Sequence, residues 1–227
     1  MSRSATIGVE PQLAAATFGA MVENRELVAL MRVIGAGDTE SVVRAVSADP
    51  ALAQAALSKG VTNAAADEFF LESVLLQIYV GDTALHVAAA AYESAVARCL
   101  VGAGASVRAR NRRGAEPIHA AVTGSPATRR WDPVRQVAMI GYLVAIGADP
   151  DAPAAGGVTP LHRAVRNRCS AAVRALLEAG ADPRRTNDHG STALMLATLT
   201  TGRGGSGSPE ARREQAIIVE LLESVAD

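Results

Sequence analysis

Apolar residues recur in this chain at spacings that predict short, paired helices. In the clearest pair, between residues 157 and 183, two sets of apolar residues follow the i, i+3, i+4 spacing of one helical face: Leu161, Ala164 and Val165, then Val173, Leu176 and Leu177. The hydroxyl of Thr159 can cap the first helix, and Pro160 suits its first position, where a missing N–H costs nothing. Gly180 is expected to end the second helix, because glycine readily adopts the left-handed conformation found there.

Imperfect copies of this unit occur before and after it. A glycine that precedes a tetrapeptide similar to Thr-Pro-Leu-His marks each copy: Gly81, Gly114, Gly157 and Gly190. These markers are 33, 43 and 33 residues apart. A period of 33 residues, with this tetrapeptide opening a helix pair, resembles the ankyrin repeat.

The resemblance covers about residues 81–227 and implies an all-α solenoid of stacked helix–turn–helix units. Four ankyrin repeats are expected, at about residues 81–113, 114–156, 157–189 and 190–227. Residues 81–92 and 201–211 also resemble segments of stand-alone bacterial ankyrin-repeat proteins of unknown function. The resemblance therefore implies a fold and a class of protein but no particular partner.

Residues 1–80 follow the repeat less closely, and we interpret them as a helical N-terminal cap. Within them, residues 23–50 are similar to a degenerate repeat in which Asp38 or Thr39 caps a helix. A cap is expected because the outer repeat of a solenoid lacks a neighbour on one side.

The period does not explain residues 51–80, and no structure is assigned to them. Phe69 and Phe70 are two of the three phenylalanines in the chain. We expect them to fill the gap left by a missing helix pair, with a docking surface as the alternative.

Composition narrows the class of function and the compartment. Apolar residues make up 49% of the chain but aromatic residues only 3%, so small side chains allow short helices to stack closely. A net charge of −1, a pI of about 6.4 and few aromatics disfavour nucleic-acid binding. Cys99 and Cys169 fall in different repeats, which is typical of a reducing compartment rather than of a disulfide framework. Since no run of about 18 apolar residues occurs, we expect a soluble, cytoplasmic protein with no membrane partner.

The repeated histidines are interpreted as structural. His86, His119 and His162 occupy one position in successive repeats, and a spacing of about 8–10 Å is too wide for a shared metal ion. The ankyrin resemblance implies that they hydrogen-bond backbone groups between repeats. No catalytic residue, metal ligand or cofactor is expected.

Two repeats carry an insertion at the same connection, between the first helix and the second. The insertions, residues 123–133 and 201–209, should emerge on one edge of the solenoid, with the third repeat between them. Five arginines and the only tryptophan are assigned to this edge: Arg129, Arg130, Trp131, Arg166, Arg168 and Arg203. Because guanidinium groups suit phosphate and carboxylate, the edge is a candidate anion site, and solvated loops are the alternative.

The ankyrin resemblance implies a non-enzymatic scaffold that binds another protein on its concave face. Residues after each tetrapeptide and near the end of each first helix are expected to face that partner: Val87, Ala91, Tyr92, Arg163, Arg166, Asn167, Met195 and Leu196. A partner with an acidic or phosphorylated segment would suit the arginines. The alternative is a small-anion or phospho-ligand sensor, or a catalytic accessory, that uses the edge formed by residues 123–133 and 201–209.

Overall fold

A computed structural model describes residues 12–60, 67, 69–124, 126, 131–198 and 208–225, with the backbone alone for residues 12–23. It contains helices and one pair of two-residue strands, in this order: α1 Gln12–Ala36, α2 Thr39–Ala48, α3 Ala51–Gln54, β1 Phe70–Leu71, β2 Leu76–Gln77, α4 Ala84–Ala90, α5 Ser94–Gly102, α6 Pro117–Ala121, α7 Pro133–Ala145, α8 Pro160–Arg166, α9 Ser170–Glu178, α10 Ala193–Thr198 and α11 Pro209–Glu223. The all-α class is confirmed. No helix within the described ranges is both long and apolar enough to cross a bilayer.

The α8–α9 pair forms as its pattern predicts. Thr159 precedes α8 with extended backbone and accepts the His162 N–H, and Pro160 is the first helical residue. Gly180 has a φ of +91° just after α9, and its N–H donates to the Leu177 carbonyl. The polar caps and the glycine therefore set both ends of the unit.

The helix pairs stack in two layers. The first helices α4, α6, α8 and α10 pack in sequence, and the second helices α5, α7, α9 and α11 form the other layer. Fully buried aliphatic side chains fill the seam between the layers: Leu85, Leu100, Ile118, Ile140, Leu143, Val173 and Leu176. The buried face of α4 also contains Ala84, Ala88 and Ala89, whose small side chains let neighbouring helices approach closely.

The N-terminal helices pack on the same stack. Helix α1 contacts α4, and α2 contacts α5, so the two occupy the place of a preceding pair. Asp38, rather than Thr39, caps α2 by accepting the Ser41 N–H at 3.0 Å. The division into a cap of residues 1–80 and repeats of residues 81–227 stays a prediction.

A short hairpin follows α3. Strands β1 and β2 pair antiparallel, Phe70 opposite Gln77. Phe69 is buried in the core, whereas Phe70 is 37% exposed. The burial of Phe69 agrees with a gap-filling role, whereas the exposed Phe70 does not fill a gap, because successive side chains of an extended chain point to opposite faces.

Candidate functional site

The repeated histidines join the helix pairs from inside. Each uses its Nε2 atom to contact a carbonyl of the following unit: His86 with Ala115 at 3.0 Å, His119 with Val158 at 3.2 Å and His162 with Ser191 at 2.9 Å. The Nδ1 atom of each accepts a backbone N–H from the residue that caps its own helix. Since Nδ1 accepts, the proton of the neutral ring is on Nε2. The interpretation of these histidines as inter-repeat braces is confirmed.

Burial keeps these rings uncharged. It lowers the pKa of His119 to about 3, and the nearby positive charge of Arg163 acts in the same direction. Burial also lowers the pKa values of His86 and His162. The three histidines are therefore part of the scaffold and contribute no charge to the surface.

An open groove of about 1120 Å³ runs along the described first helices and the connections beside them. Residues from all four helix pairs line it, from Tyr79 and Asp82 at one end to Leu196 and Ile218 at the other. The acidic residues and arginines among the described residues that line it are one aspartate and four arginines: Asp82, Arg113, Arg163, Arg166 and Arg168. The groove is therefore basic although the whole chain is nearly neutral.

Arg163 lies at the centre of the basic cluster. It projects from α8 and donates from Nη1 to the carbonyl of His119 at 3.2 Å, so its guanidinium reaches back over the preceding helix pair. Burial lowers the pKa of Arg163, and the positive charges of Arg113 and Arg166 lower it further. Arg113 and Arg166 are therefore close enough to Arg163 to oppose its charge.

Asp82 does not neutralise the cluster by direct pairing. It is only 5% exposed. Its Oδ2 accepts the Tyr79 N–H at 2.7 Å and its Oδ1 accepts the Asn111 side-chain amide at 2.8 Å. The carboxylate therefore holds the connection between the first two units, and the arginines remain a net positive surface.

Arg113 comes from the connection between the first two helix pairs. Its guanidinium carbon lies 4.2 Å from the centre of the Tyr79 ring, and that of Arg112 lies 4.9 Å from it. Stacking on an aromatic ring fixes the direction of a guanidinium group. The sequence did contain a signal for this position, because the 33-residue period makes Arg113 the equivalent of Val80, which directly follows Tyr79 in the chain.

Part of the predicted partner-binding set lies together in this groove. Four of its members line the groove: Arg163, Arg166, Asn167 and Arg168. The Asn167 amide donates to the Val122 and Thr123 carbonyls, which ties the α8–α9 turn to the preceding unit. Leu196 also lines the groove, and Met195 is 53% exposed.

Two residues expected on the concave face are buried instead. Val87 is fully buried and Tyr92 is 5% exposed, so neither presents a side chain to a partner. Tyr92 has a left-handed backbone, with a φ of +57°, at the turn after α4. Its hydroxyl lies against Gly124, where an added Cβ would clash with it. Burial raises the pKa of Tyr92.

Trp131 is also committed to the fold. It is half-buried, and its indole N–H donates to Oε1 of the buried Gln136 at 2.8 Å. The thiol of Cys169 donates to the same oxygen at 3.0 Å, and the Gln136 amide donates to the Ala121 carbonyl. Trp131, which was assigned to the candidate anion edge, therefore uses its indole N–H to anchor the end of the first insertion.

The edge predicted from the two insertions is divided between described and other residues. Arg129, Arg130 and Arg203 lie outside the described residues. Arg166 and Arg168, which were assigned to that edge, line the groove.

The stacked helix pairs and their groove define a helical-repeat solenoid. The family model described as "Ankyrin repeats (many copies)" matches residues 143–197, and the model for a single ankyrin repeat matches residues 80–112. Residues 80–112 and 143–197 of the chain therefore match ankyrin repeats. Ankyrin repeats generally serve as protein–protein interaction modules, for which solenoids provide extended concave surfaces.

Similar regions occur in much longer proteins. The chain is 36% identical over 131 residues to ankyrin repeat and SOCS box protein 16 of Mus musculus, which covers 56% of this chain and 28% of that protein. It is 37% identical over 90 residues to protein fem-1 homolog A of Homo sapiens, a match that covers 38% of this chain and 14% of that protein. It is 33% identical over 117 residues to neurogenic locus notch homolog protein 2 of Homo sapiens, a match that covers 52% of this chain and 4% of that protein. The chain thus spans less than a third of the length of these relatives.

Proposed function

We propose that this protein is a non-enzymatic scaffold that holds an acidic or phosphorylated segment of another protein in its concave groove. The observation that carries the proposal is the lining of the groove, where four arginines face one internally bonded aspartate. Ankyrin-repeat relatives support a protein as the partner, because the family generally acts through protein–protein contacts.

The state of Arg163 favours an anionic partner. Its guanidinium is already partly desolvated, and neighbouring arginines oppose its charge. Binding a carboxylate or a phosphate would relieve this repulsion, and guanidinium groups can donate to either in parallel pairs. A cationic segment would add to the repulsion.

The contacts are assigned to the predicted residues that line the groove. Arg163 and Arg166 contact the anion directly, and Arg168 extends the basic surface into the α8–α9 turn. Asn167 holds that turn against the preceding unit through its two carbonyl contacts. No described contact supports the alternative of a small-anion or phospho-ligand sensor, and Arg129, Arg130 and Arg203 of its edge lie outside the described residues.

Affinity purification with matched variants tests this proposal. The groove variant Arg113→Ala/Arg166→Ala removes two exposed arginines of the groove. The control Arg174→Ala/Arg212→Ala removes two exposed arginines of the second helix layer, outside the described lining. We expect at least one protein to be recovered by the wild type and the control but lost with the groove variant. Equal recovery by both variants would show that the groove is not the binding site.

A further inference from the structure

We infer that the groove recognises a phosphate monoester on a segment of another protein and distinguishes it from a carboxylate. Phosphorylation of the partner would then switch binding on, and removal of the phosphate would switch it off. This inference rests on the proposed function, within which it selects the phosphorylated segment over the acidic one. It follows from two arginines of the groove that lie close to Arg163.

Arg163 and these two arginines reach the groove from different parts of the chain. Arg163 and Arg166 lie on α8 and are neighbours on the helix surface, because they are three residues apart. Arg113 comes from the connection between the first two helix pairs. The Arg163 guanidinium reaches back to the His119 carbonyl, and both other arginines are close enough to oppose its charge. An anion bound to Arg163 would therefore have two further guanidinium groups close by.

Arg113 is held in place before any ligand binds. Its backbone N–H donates to Oδ1 of Asn111 at 2.9 Å, and its carbonyl accepts the Ala155 N–H at 2.7 Å. Its guanidinium carbon lies 4.2 Å from the centre of the Tyr79 ring. Because the backbone and the side chain are both fixed by neighbours, little conformational entropy is lost when this arginine binds an anion.

The described carboxylates leave this group of arginines without a partner of opposite charge. Two arginines outside the described groove lining form ion pairs: Arg110 with Glu116 at 3.0 Å and Arg135 with Glu93 at 2.8 Å. Among the residues that the structure describes, no salt bridge involves Arg163 or the two arginines close to it. Their positive charge is therefore available to a bound anion.

A phosphate monoester suits three guanidinium groups better than a carboxylate does. A carboxylate carries one negative charge and two oxygens in one plane. A phosphate monoester carries a charge of about −1.5 to −2 at pH 7 and three acceptor oxygens, which point in different directions. Each guanidinium group can donate a parallel pair of hydrogen bonds to two oxygens. Phosphate therefore offers acceptors to arginines that approach from different elements, and its larger charge relieves more of the repulsion around Arg163.

Peptide libraries that differ only at a fixed central residue test the inference. The central residue is phosphoserine, phosphotyrosine, glutamate or serine, and each library is selected on the full chain. We expect the phosphorylated libraries to yield enriched sequences. In fluorescence anisotropy, glutamate and unphosphorylated copies of an enriched peptide should bind at least about tenfold more weakly, as expected for the loss of one charge-assisted hydrogen bond. Inorganic phosphate should displace the phosphopeptide at a lower concentration than acetate does.

Protein variants locate the bound phosphopeptide. Arg113→Glu should weaken its binding at least about tenfold, because it replaces a fixed donor with a negative charge. Arg174→Glu makes the same charge change outside the described groove lining and should alter binding less than about twofold, because exposed charges are screened by salt. Both arginines are exposed, and a thermal transition measured for each variant checks that the fold is kept.

The possible outcomes separate the two proposals. Glutamate peptides that bind as tightly as phosphopeptides and lose binding with Arg113→Glu would overturn this inference and leave the proposed groove site standing. Peptides that bind Arg113→Glu as tightly as the wild type, or a selection in which no library is enriched, would count against both. Vesicles containing a phosphoinositide that bind more tightly than every enriched phosphopeptide would also overturn the inference, because they would assign the phosphate to a membrane.

Discussion

Replacing His119 with leucine tests the inter-repeat brace most directly. His119 is fully buried between the second and third helix pairs, and both of its ring nitrogens are bonded. The substitution leaves the Glu116 N–H without its partner, which costs about 1–3 kcal/mol. Loss of the hydrogen bond to the Val158 carbonyl costs less, about 0.5–1.5 kcal/mol, because this carbonyl still accepts the Ala154 N–H. The free energy of unfolding should therefore fall by about 1.5–4.5 kcal/mol.

Urea unfolding followed by circular dichroism at pH 7 measures this loss. The matched control is His189→Leu, because His189 is exposed and substitutions at exposed positions usually change stability by less than about 0.5 kcal/mol. If His119→Leu were no more destabilising than His189→Leu, the brace would contribute nothing and the reasoning would be wrong.

The same variant should change how stability depends on pH. In the folded chain the pKa of His119 is about 3, whereas the unfolded histidine keeps its ordinary value near 6.5. Between these values the unfolded state binds a proton that the folded state does not, so stability is present above about pH 6.5 and is lost as the pH falls. One such histidine contributes about 1.4 kcal/mol per pH unit. His119→Leu should flatten the dependence between pH 6 and 4 by about that slope, and an unchanged slope would contradict the assigned burial effect.

Two further substitutions test the packing and the backbone, each by urea unfolding. Leu176→Ala should lower the free energy of unfolding by about 2–5 kcal/mol, because Leu176 is fully buried in the seam between the layers. Leu177→Ala should lower it less, because Leu177 is only half-buried. Gly81→Ala should lower the free energy of unfolding more than Gly190→Ala does. Both glycines have positive φ, so each substitution costs about 1–2 kcal/mol in backbone strain. An added Cβ at Gly81 would also lie 2.7 Å from the Asn111 Cα, whereas at Gly190 it meets nothing within 4 Å. Equal losses within either pair would refute the corresponding argument.

Local chemistry made much of the fold predictable. Thr159, Pro160 and Gly180 act within one turn of their own helices, so their effects can be inferred from neighbouring residues alone. The 33-residue period then carried the same interpretation along the chain. It also indicated the histidine braces, through the ankyrin resemblance, and it placed Arg163, Arg166 and Asn167 on a common surface.

Only the tertiary structure decided which side chains form the groove. Tyr92 and Arg168 both have left-handed backbone at the turn after a first helix, yet Tyr92 is buried against Gly124 and Arg168 lines the groove. Arg113 was missed because its direction depends on Tyr79, which precedes the first repeat. A periodic pattern determines which positions are equivalent, but the direction of each side chain depends on the neighbours that it meets across the stack, and these differ from one repeat to the next.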